Sequence, residues 1–220
     1  MKSVRRRITA RKGETDGRRR RGDQARIAIL ERAMDVASVD GFEGLTVGSL
    51  ASDLGIGKSN ISALFGDKET LQIKTLEAAV DVFIEKVITP TQTEASPIRR
   101  LQRLCGGWFD YVERRVFPGG CLMYAAISEY RARPGAIQDK VNGYRDAWKA
   151  LLERTVREAQ SIGQIHADHD VRPLVFKLIA FQAASNTATL LGDSKYFQLG
   201  RESTKAAIAE AANTHPPSAA

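Results

Sequence analysis

The chain has 220 residues, 43% of them hydrophobic, which is enough to bury a core and excludes wholesale disorder. No apolar run approaches the ~18 residues of a membrane helix, and no apolar stretch of a secretory leader follows the basic N-terminus. The formal net charge of +7 is concentrated at one end: residues 1–22 carry ten basic and two acidic side chains, a net of +8, whereas residues 23–220 sum to −1. A charge block of this kind marks a disordered arm that meets a polyanion. Two cysteines, Cys105 and Cys121, lie far apart without disulfide-framework or metal-ligand spacing, which predicts buried structural thiols in a cytoplasmic protein.

Strand signals are nearly absent, and helical periodicity punctuated by Gly and Pro runs through the chain. After the arm, Asp23 caps a first helix to about Val39, with Ile27, Leu30, Met34 and Ala37 on one face and Gly41 ending it. Thr46 caps a short helix to Leu54, broken at Gly55. Another short helix runs from Lys58 to Phe65, broken at Gly66. Asp67 caps a longer one to about Ile88, stopped by Pro90. Residues 89–97 (TPTQTEASP) form a loop and a subdomain boundary. Helices then span about 98–116, with Leu101, Leu104, Trp108 and Val112 in line, 121–132, and 135–162, with Ile137, Val141, Tyr144, Trp148 and Leu151 in line. Asp170 caps the next, to Leu191, and Ser194 caps the last, to Ala212. The expected fold is all-α, with about nine helices. It divides into a disordered basic arm (1–22), a three-helix head (23–88), a helical body (97–212) and a disordered tail (213–220).

Residues 46–66 carry the sharpest signal. Leu50, Leu54, Ile61 and Leu64 face inward where two short helices cross, and Ala51 is small where the second helix passes. Gly55 supplies the positive φ of a tight turn, and Ile56 plugs that turn. This is the spacing of a DNA-binding helix-turn-helix, whose second helix enters the major groove. Its outward residues are Lys58, Ser59, Asn60, Ser62 and Ala63. Lys58 reaches a phosphate or a guanine edge, Asn60 an adenine or a phosphate, and Ala63 a thymine methyl. Thr46 and Lys68 sit at helix N-termini, where backbone N–H groups favour phosphate.

Residues 24–71 resemble the N-terminal domain of the TetR family of transcriptional regulators. The resemblance rests on Gly41-Phe42, Leu45-Thr46, the Gly55-Ile56-Gly57-Lys58 turn, and Phe65, Lys68 and Leu71 in a Phe-x-x-Lys-x-x-Leu pattern. Ser62 stands where the family commonly has an aromatic, and Leu64 where it has Tyr or His, which implies a different operator sequence. The segment from Pro118 through Val141 is similar to a Gly-Cys helix start in one branch of the family. The resemblance implies a homodimer built on the last two helices, a palindromic double-stranded operator, and a body pocket whose small-molecule effector releases the DNA. It implies no cofactor and no enzymatic activity. The small-residue stretch 180–190 agrees with close helix–helix approach, giving Phe181, Ala184, Ala188 and Leu191 as interface candidates. Candidate pocket residues are Trp108, Tyr111, Met123, Tyr124, Trp148 and Phe176.

Three decoys give way to plainer readings. Gly57-Lys58-Ser59 lacks the first glycine and preceding strand of a phosphate loop. The run His166 to Asp170 reads as a polar loop rather than a metal site. Asp110 and Glu113 share a helix face that reads as solvated rather than as an acid/base pair. Two rivals remain: a helical enzyme or ligand carrier with a vestigial head, and a nucleoid-type protein that binds DNA through its arm alone. Charge adds one expectation. Residues 23–86 hold six basic and eleven acidic side chains, a net of −5, an awkward balance for a duplex binder. Arg18, Arg19, Arg20 and Arg21 of the arm are therefore expected to join the DNA site.

Overall fold

The computed structural model describes residues 2–212, with side chains described at Arg20 and from Gly22 onward. The tail 213–220 and the side chains of Arg18, Arg19 and Arg21 therefore lie outside the described residues. Among the described residues the chain is all-α: α1 (Lys2–Gly44), α2 (Val47–Leu54), α3 (Lys58–Phe65), α4 (Lys68–Phe83), α5 (Pro97–Glu113), α6 (Leu122–Tyr130), α7 (Ala136–Ser161), α8 (Val171–Leu190) and α9 (Ser194–Ala211). A single antiparallel bridge joins Ile165 to Ala212.

Helix α1 passes straight through Asp23, where a cap was expected, and continues back to Lys2. Arg and Lys are good helix formers, so a helix nucleated by the apolar face downstream propagates through the basic segment. Its forward end is where the Gly signal placed it. Gly41 leaves the helix with φ 74°, and one irregular step later Phe42 and Leu45 are fully buried. Helix α4 ends at Phe83 rather than near Ile88. It widens into a π turn, Ile84–Ile88, and then tightens into a 3-10 turn, Thr89–Thr91, that holds Pro90. Proline has no N–H to continue an α ladder, and π turns cluster at functional sites. Asp170 caps α8 as expected, accepting from the Arg172 N–H at 3.0 Å. Helix α9 is capped by Asp193, which accepts from the Tyr196 N–H at 2.9 Å, and Ser194 is its first helical residue.

The head, α1 to α3 with the start of α4, closes on Ile29, Leu45, Leu50, Ile61 and Leu71, all essentially inaccessible. The body holds two further cores. One gathers Trp108, Phe109, Val112 and Leu122 with Phe42 and Leu76. The other gathers Leu101, Leu152, Leu178 and Ile208. Helix α4 belongs to both units: Leu71 packs in the head, and Leu76 and Ala79 pack in the body. At the far end α8 lies tight against α9, where a Cβ on Gly200 would fall 1.9 Å from Ser185 Oγ.

Candidate DNA interface and ligand cavity

The α2–α3 unit has the geometry that its residue spacing predicts. Thr46 Oγ1 accepts from the Ser49 N–H at 3.0 Å, and the Ser49 hydroxyl is 3.3 Å from the Thr46 N–H, a reciprocal cap worth about 1 kcal/mol. Gly55 turns the chain with φ 64°, and the Ile56 N–H returns to the Ala51 carbonyl at 3.0 Å. Helix α3 then buries Ile61 and Phe65, leaving Lys58, Ser59, Asn60, Ser62 and Ala63 exposed on one outward face.

The charges around this face are mostly committed. Arg26 donates to the Leu64 carbonyl at 3.0 Å and lies over the Phe65 ring. Arg32 pairs with Asp53 at 2.7 Å, Lys74 with Glu77 at 2.8 Å and Lys86 with Glu85 at 2.7 Å. Lys68, assigned to phosphate from the sequence, bonds the Glu43 carboxylate at 2.8 Å and the Glu43 carbonyl at 3.2 Å. That contact holds the Glu43 carboxyl below the usual carboxylate range. Among the described residues 23–86, Lys58 is the cation with no ion pair or hydrogen bond inside the chain. Its Nζ lies over the first turn of α2, 3.7 Å from where a Cβ on Gly48 would stand. The exposed N-terminus of α2 and the Lys58 ammonium thus converge on one patch that favours an anion. Arg20 is exposed and engaged within the chain.

Inside the body lies a cavity of about 520 Å³, within the range of about 300–1,000 Å³ typical of small-molecule sites. Five of the six residues chosen from the sequence line it: Trp108, Tyr111, Met123, Tyr124 and Trp148. Phe176 does not. It is 74% exposed, because Leu174, Val175 and Leu178 form the inward face of α8 and Phe176 falls on the opposite one. The lining also takes in α4 and its π turn, through Ala79, Phe83, Ile84 and Ile88, and Gln182, none of which the sequence pattern marked as cavity residues. A lone Gln in the apolar run around Phe181 was the available signal for the last of these.

The rings form an edge-to-face set: Phe83 with Trp148 at 5.2 Å and with Tyr111 at 5.6 Å, and Trp108 with Tyr124 at 5.9 Å. Burial raises the Tyr111 and Tyr124 hydroxyls above their ordinary values, so both stay protonated. Burial likewise pushes the Cys105 thiol up to about 12 and raises Cys121, which lines the cavity, so neither thiol is reactive.

A junction of backbone contacts joins head to body. The Phe42 and Glu43 N–H groups, just past the Gly41 kink, both donate to the Glu129 carboxylate at 2.7 Å. Glu129 sits on α6, whose other residues Leu122, Met123, Tyr124 and Ile127 line the cavity. The second contact is the turn before α6. The Gly119 N–H donates to Ser38 Oγ at 3.0 Å, so close that a Cβ on Gly119 would lie 1.8 Å from the Ser38 carbonyl oxygen. The Cys121 N–H donates to Asn186 Oδ1 of α8 at 2.9 Å. The Pro-Gly-Gly-Cys turn therefore touches the head helix, the cavity and α8 within four residues.

Of the four interface candidates, Ala184 and Leu191 are exposed, the latter at 79%. Ala188 is only 4% exposed and packs into the chain's own core, where the α8 twist carries it away from solvent. Phe181 is half-buried against the second body core. Asp110 and Glu113 lie on a solvated face, their side chains about half exposed. They hold Arg201 of α9 at 2.9 and 2.8 Å. Among the described residues no group of three or more His, Cys, Asp or Glu could hold a metal, and no helix is long and apolar enough to cross a membrane.

The fold and its two sites define a class: a helix-turn-helix head, built for duplex DNA, carried on a hollow helical body. Known proteins place the chain within it. A sequence model of the Tetracyclin repressor-like C-terminal domain matches residues 97–204. The transcriptional regulator AcuR of Cereibacter sphaeroides is 23% identical over 159 residues, covering 70% of this chain and 72% of that protein. A TetR transcriptional regulator from Chloroflexus aurantiacus superposes with a TM-score of 0.81 at 18% identity, over 88% of this chain and 98% of its own. AibR, solved in complex with isovaleryl coenzyme A and operator DNA, superposes with a TM-score of 0.61 at 21% identity, over 73% of this chain and 84% of its own. The chain belongs to the TetR family of transcriptional regulators.

Proposed function

We propose that the protein is a ligand-responsive repressor that binds a palindromic operator as a homodimer and leaves it when a small molecule fills the body cavity. The observation that carries the DNA half is the outward face of α3, where Lys58 stands uncommitted beside Ser59, Asn60 and Ser62. Arg18 to Arg21 supply the phosphate neutralisation that the acidic head lacks. The dimer face is the outer side of α8 and α9, where Phe176, Leu190, Leu191, Tyr196 and Leu199 are large, apolar and exposed. Small residues Ala180, Ala183 and Ala184 lie between them. A contiguous patch of this kind marks an interface, and a two-fold dimer presents two α3 helices to two half-sites.

Coupling runs through the elements that the two sites share. A ligand pressing on α4, the π turn and α6 strains the Glu129 and Gly119 contacts to the head. Occupancy then favours a head spacing that no longer fits the operator. Coupling of about 1–3 kcal/mol, or 5–150-fold in affinity, suffices for such a switch. AibR, crystallised with both a ligand and an operator, supplies a precedent for the two-site arrangement.

Selection of genomic fragments by the full chain tests the DNA half. Wild type is expected to enrich a short set of palindromic sites, and Lys58→Ala and Asn60→Ala to lose that enrichment. Site-specific selection that survives both substitutions would contradict the assignment of α3.

A further inference from the structure

Gln182 is an anomaly in an apolar wall. It is 0% exposed, and its Oε1 accepts from Trp148 Nε1–H at 3.2 Å. That bond fixes which way the amide points, because the indole nitrogen can only donate. The Nε2 group is left buried with no partner, and Gln182 lies in the cavity lining. Buried donors are normally satisfied, and an unpaired one in a cavity wall selects for a ligand that carries an acceptor. Charge in the wall limits what that acceptor belongs to. Among the described residues the lining holds no carboxylate, and its one cation, Arg145, has a side chain 54% exposed and paired with Asp146 at 3.2 Å. A carboxylate or phosphate entering past this rim would lose water without gaining a counter-charge.

We propose, resting on the reading of this cavity as the effector site, that the effector is a neutral, mostly aromatic or alkyl molecule with one oxygen acceptor, a carbonyl or ether, bound by the Gln182 amide. At the ~0.74 packing density of protein interiors, a ligand filling about 520 Å³ has a van der Waals volume of at most about 380 Å³. The edge-to-face set of Phe83, Tyr111 and Trp148 presents ring faces and edges to its apolar part. Trp148 is a positioning residue for the Gln182 amide and a wall at once.

Three probes sharing a two-ring frame test this by equilibrium dialysis against the full chain: benzophenone, diphenylmethane and diphenylacetate. In wild type the ketone is expected to bind about tenfold tighter than the hydrocarbon, with the anion weakest. Gln182→Met, which keeps volume and removes the donor, is expected to bind ketone and hydrocarbon equally. Equal binding of ketone and hydrocarbon by wild type, survival of the preference in Gln182→Met, or tightest binding of the anion overturns the assigned class while leaving the cavity as a ligand site. Binding of none of the three overturns the cavity reading itself, and the class with it. The wild-type comparison needs no variant to fold.

Discussion

In the head, Ile29, Leu45, Leu50 and Ile61 are essentially inaccessible, and the short helices close around them. In the body, Tyr144, Trp148, Leu151 and Ile179 lie at positions that helical periodicity directs inward, yet each is only half-buried because it faces a hollow. The head therefore behaves as a rigid reading unit whose variable part is its surface. The body keeps its variable part inside. Rigidity suits a unit that must hold several side chains against base edges at once. A hollow gives a ligand room to change the packing, and close-packed neighbours pass such changes on. The two meet at α4, at Glu129 and at the turn at Gly119, flanked by the Arg133–Glu43 pair and the packing of Tyr130 on Phe42, so those contacts carry whatever control the hollow has over the reader.

The largest single effect is expected from Gly119→Ala. Its new methyl would overlap the Ser38 backbone, and backbone cannot swing aside as a side chain does. Overpacking of this kind costs about 1–3 kcal/mol, read as a lower thermal midpoint and a weaker operator complex. An unchanged midpoint would mean that the head docks more loosely than described. Glu129→Ala comes next. It removes the acceptor of the Phe42 and Glu43 N–H groups, which lie at part-buried and exposed positions where water takes its place, so the stability loss falls well below the ~1.5–3 kcal/mol of a buried bond to a charge. Operator affinity should become less sensitive to an occupied cavity, measured as the ratio of affinities with and without benzophenone. A ratio equal to wild type would move the coupling to α4 alone.

Deletion of residues 2–21 probes the other side of the comparison, the head's dependence on charge from outside itself. Operator affinity should fall, and the slope of log affinity against log salt should flatten by about 0.9 for each phosphate the arm neutralises. An unchanged slope would sink the arm's role and leave the helix-turn-helix standing. The smallest effect is a pH dependence at the α4–α7 contact. Glu77 accepts from Lys140 and Lys74, the former contact being the larger cause, and these hold its carboxyl below the ordinary 4.5. A carboxyl with a depressed folded value contributes stability above its unfolded value and loses it as pH falls through the folded one. Replacing Glu77 with Gln should therefore narrow the stability gap to wild type as pH drops below about 4.5, followed by denaturant unfolding. A gap that stays constant across that range would mean the pair contributes nothing.

The helix-turn-helix was legible because every element of it is local: caps, a positive-φ glycine and an inward face, all within about twenty residues. The aromatic lining was legible for the same reason, as periodic positions on α5, α6 and α7. Phe176 and Ala188 were misplaced because α8 is apolar nearly all round, so periodicity alone does not say which face turns inward. The Glu129 and Gly119 contacts join residues more than eighty positions apart, and no local pattern announces such a pair. Lys68 illustrates the opposite limit. Its position at a helix start was read correctly, but its partner, Glu43, is fixed by the fold.

The central claim is that occupancy of the hollow is felt at the reader. Both tryptophans of the chain, Trp108 and Trp148, line the cavity, so their fluorescence reports filling directly while the anisotropy of a labelled operator fragment reports release. Titrating benzophenone into the preformed protein–fragment complex should quench the tryptophans and dissociate the fragment over the same concentration range, with a 5–150-fold loss of affinity at saturation, the range of about 1–3 kcal/mol typical of such coupling. Complete quenching with the fragment still bound at its original affinity would contradict the account.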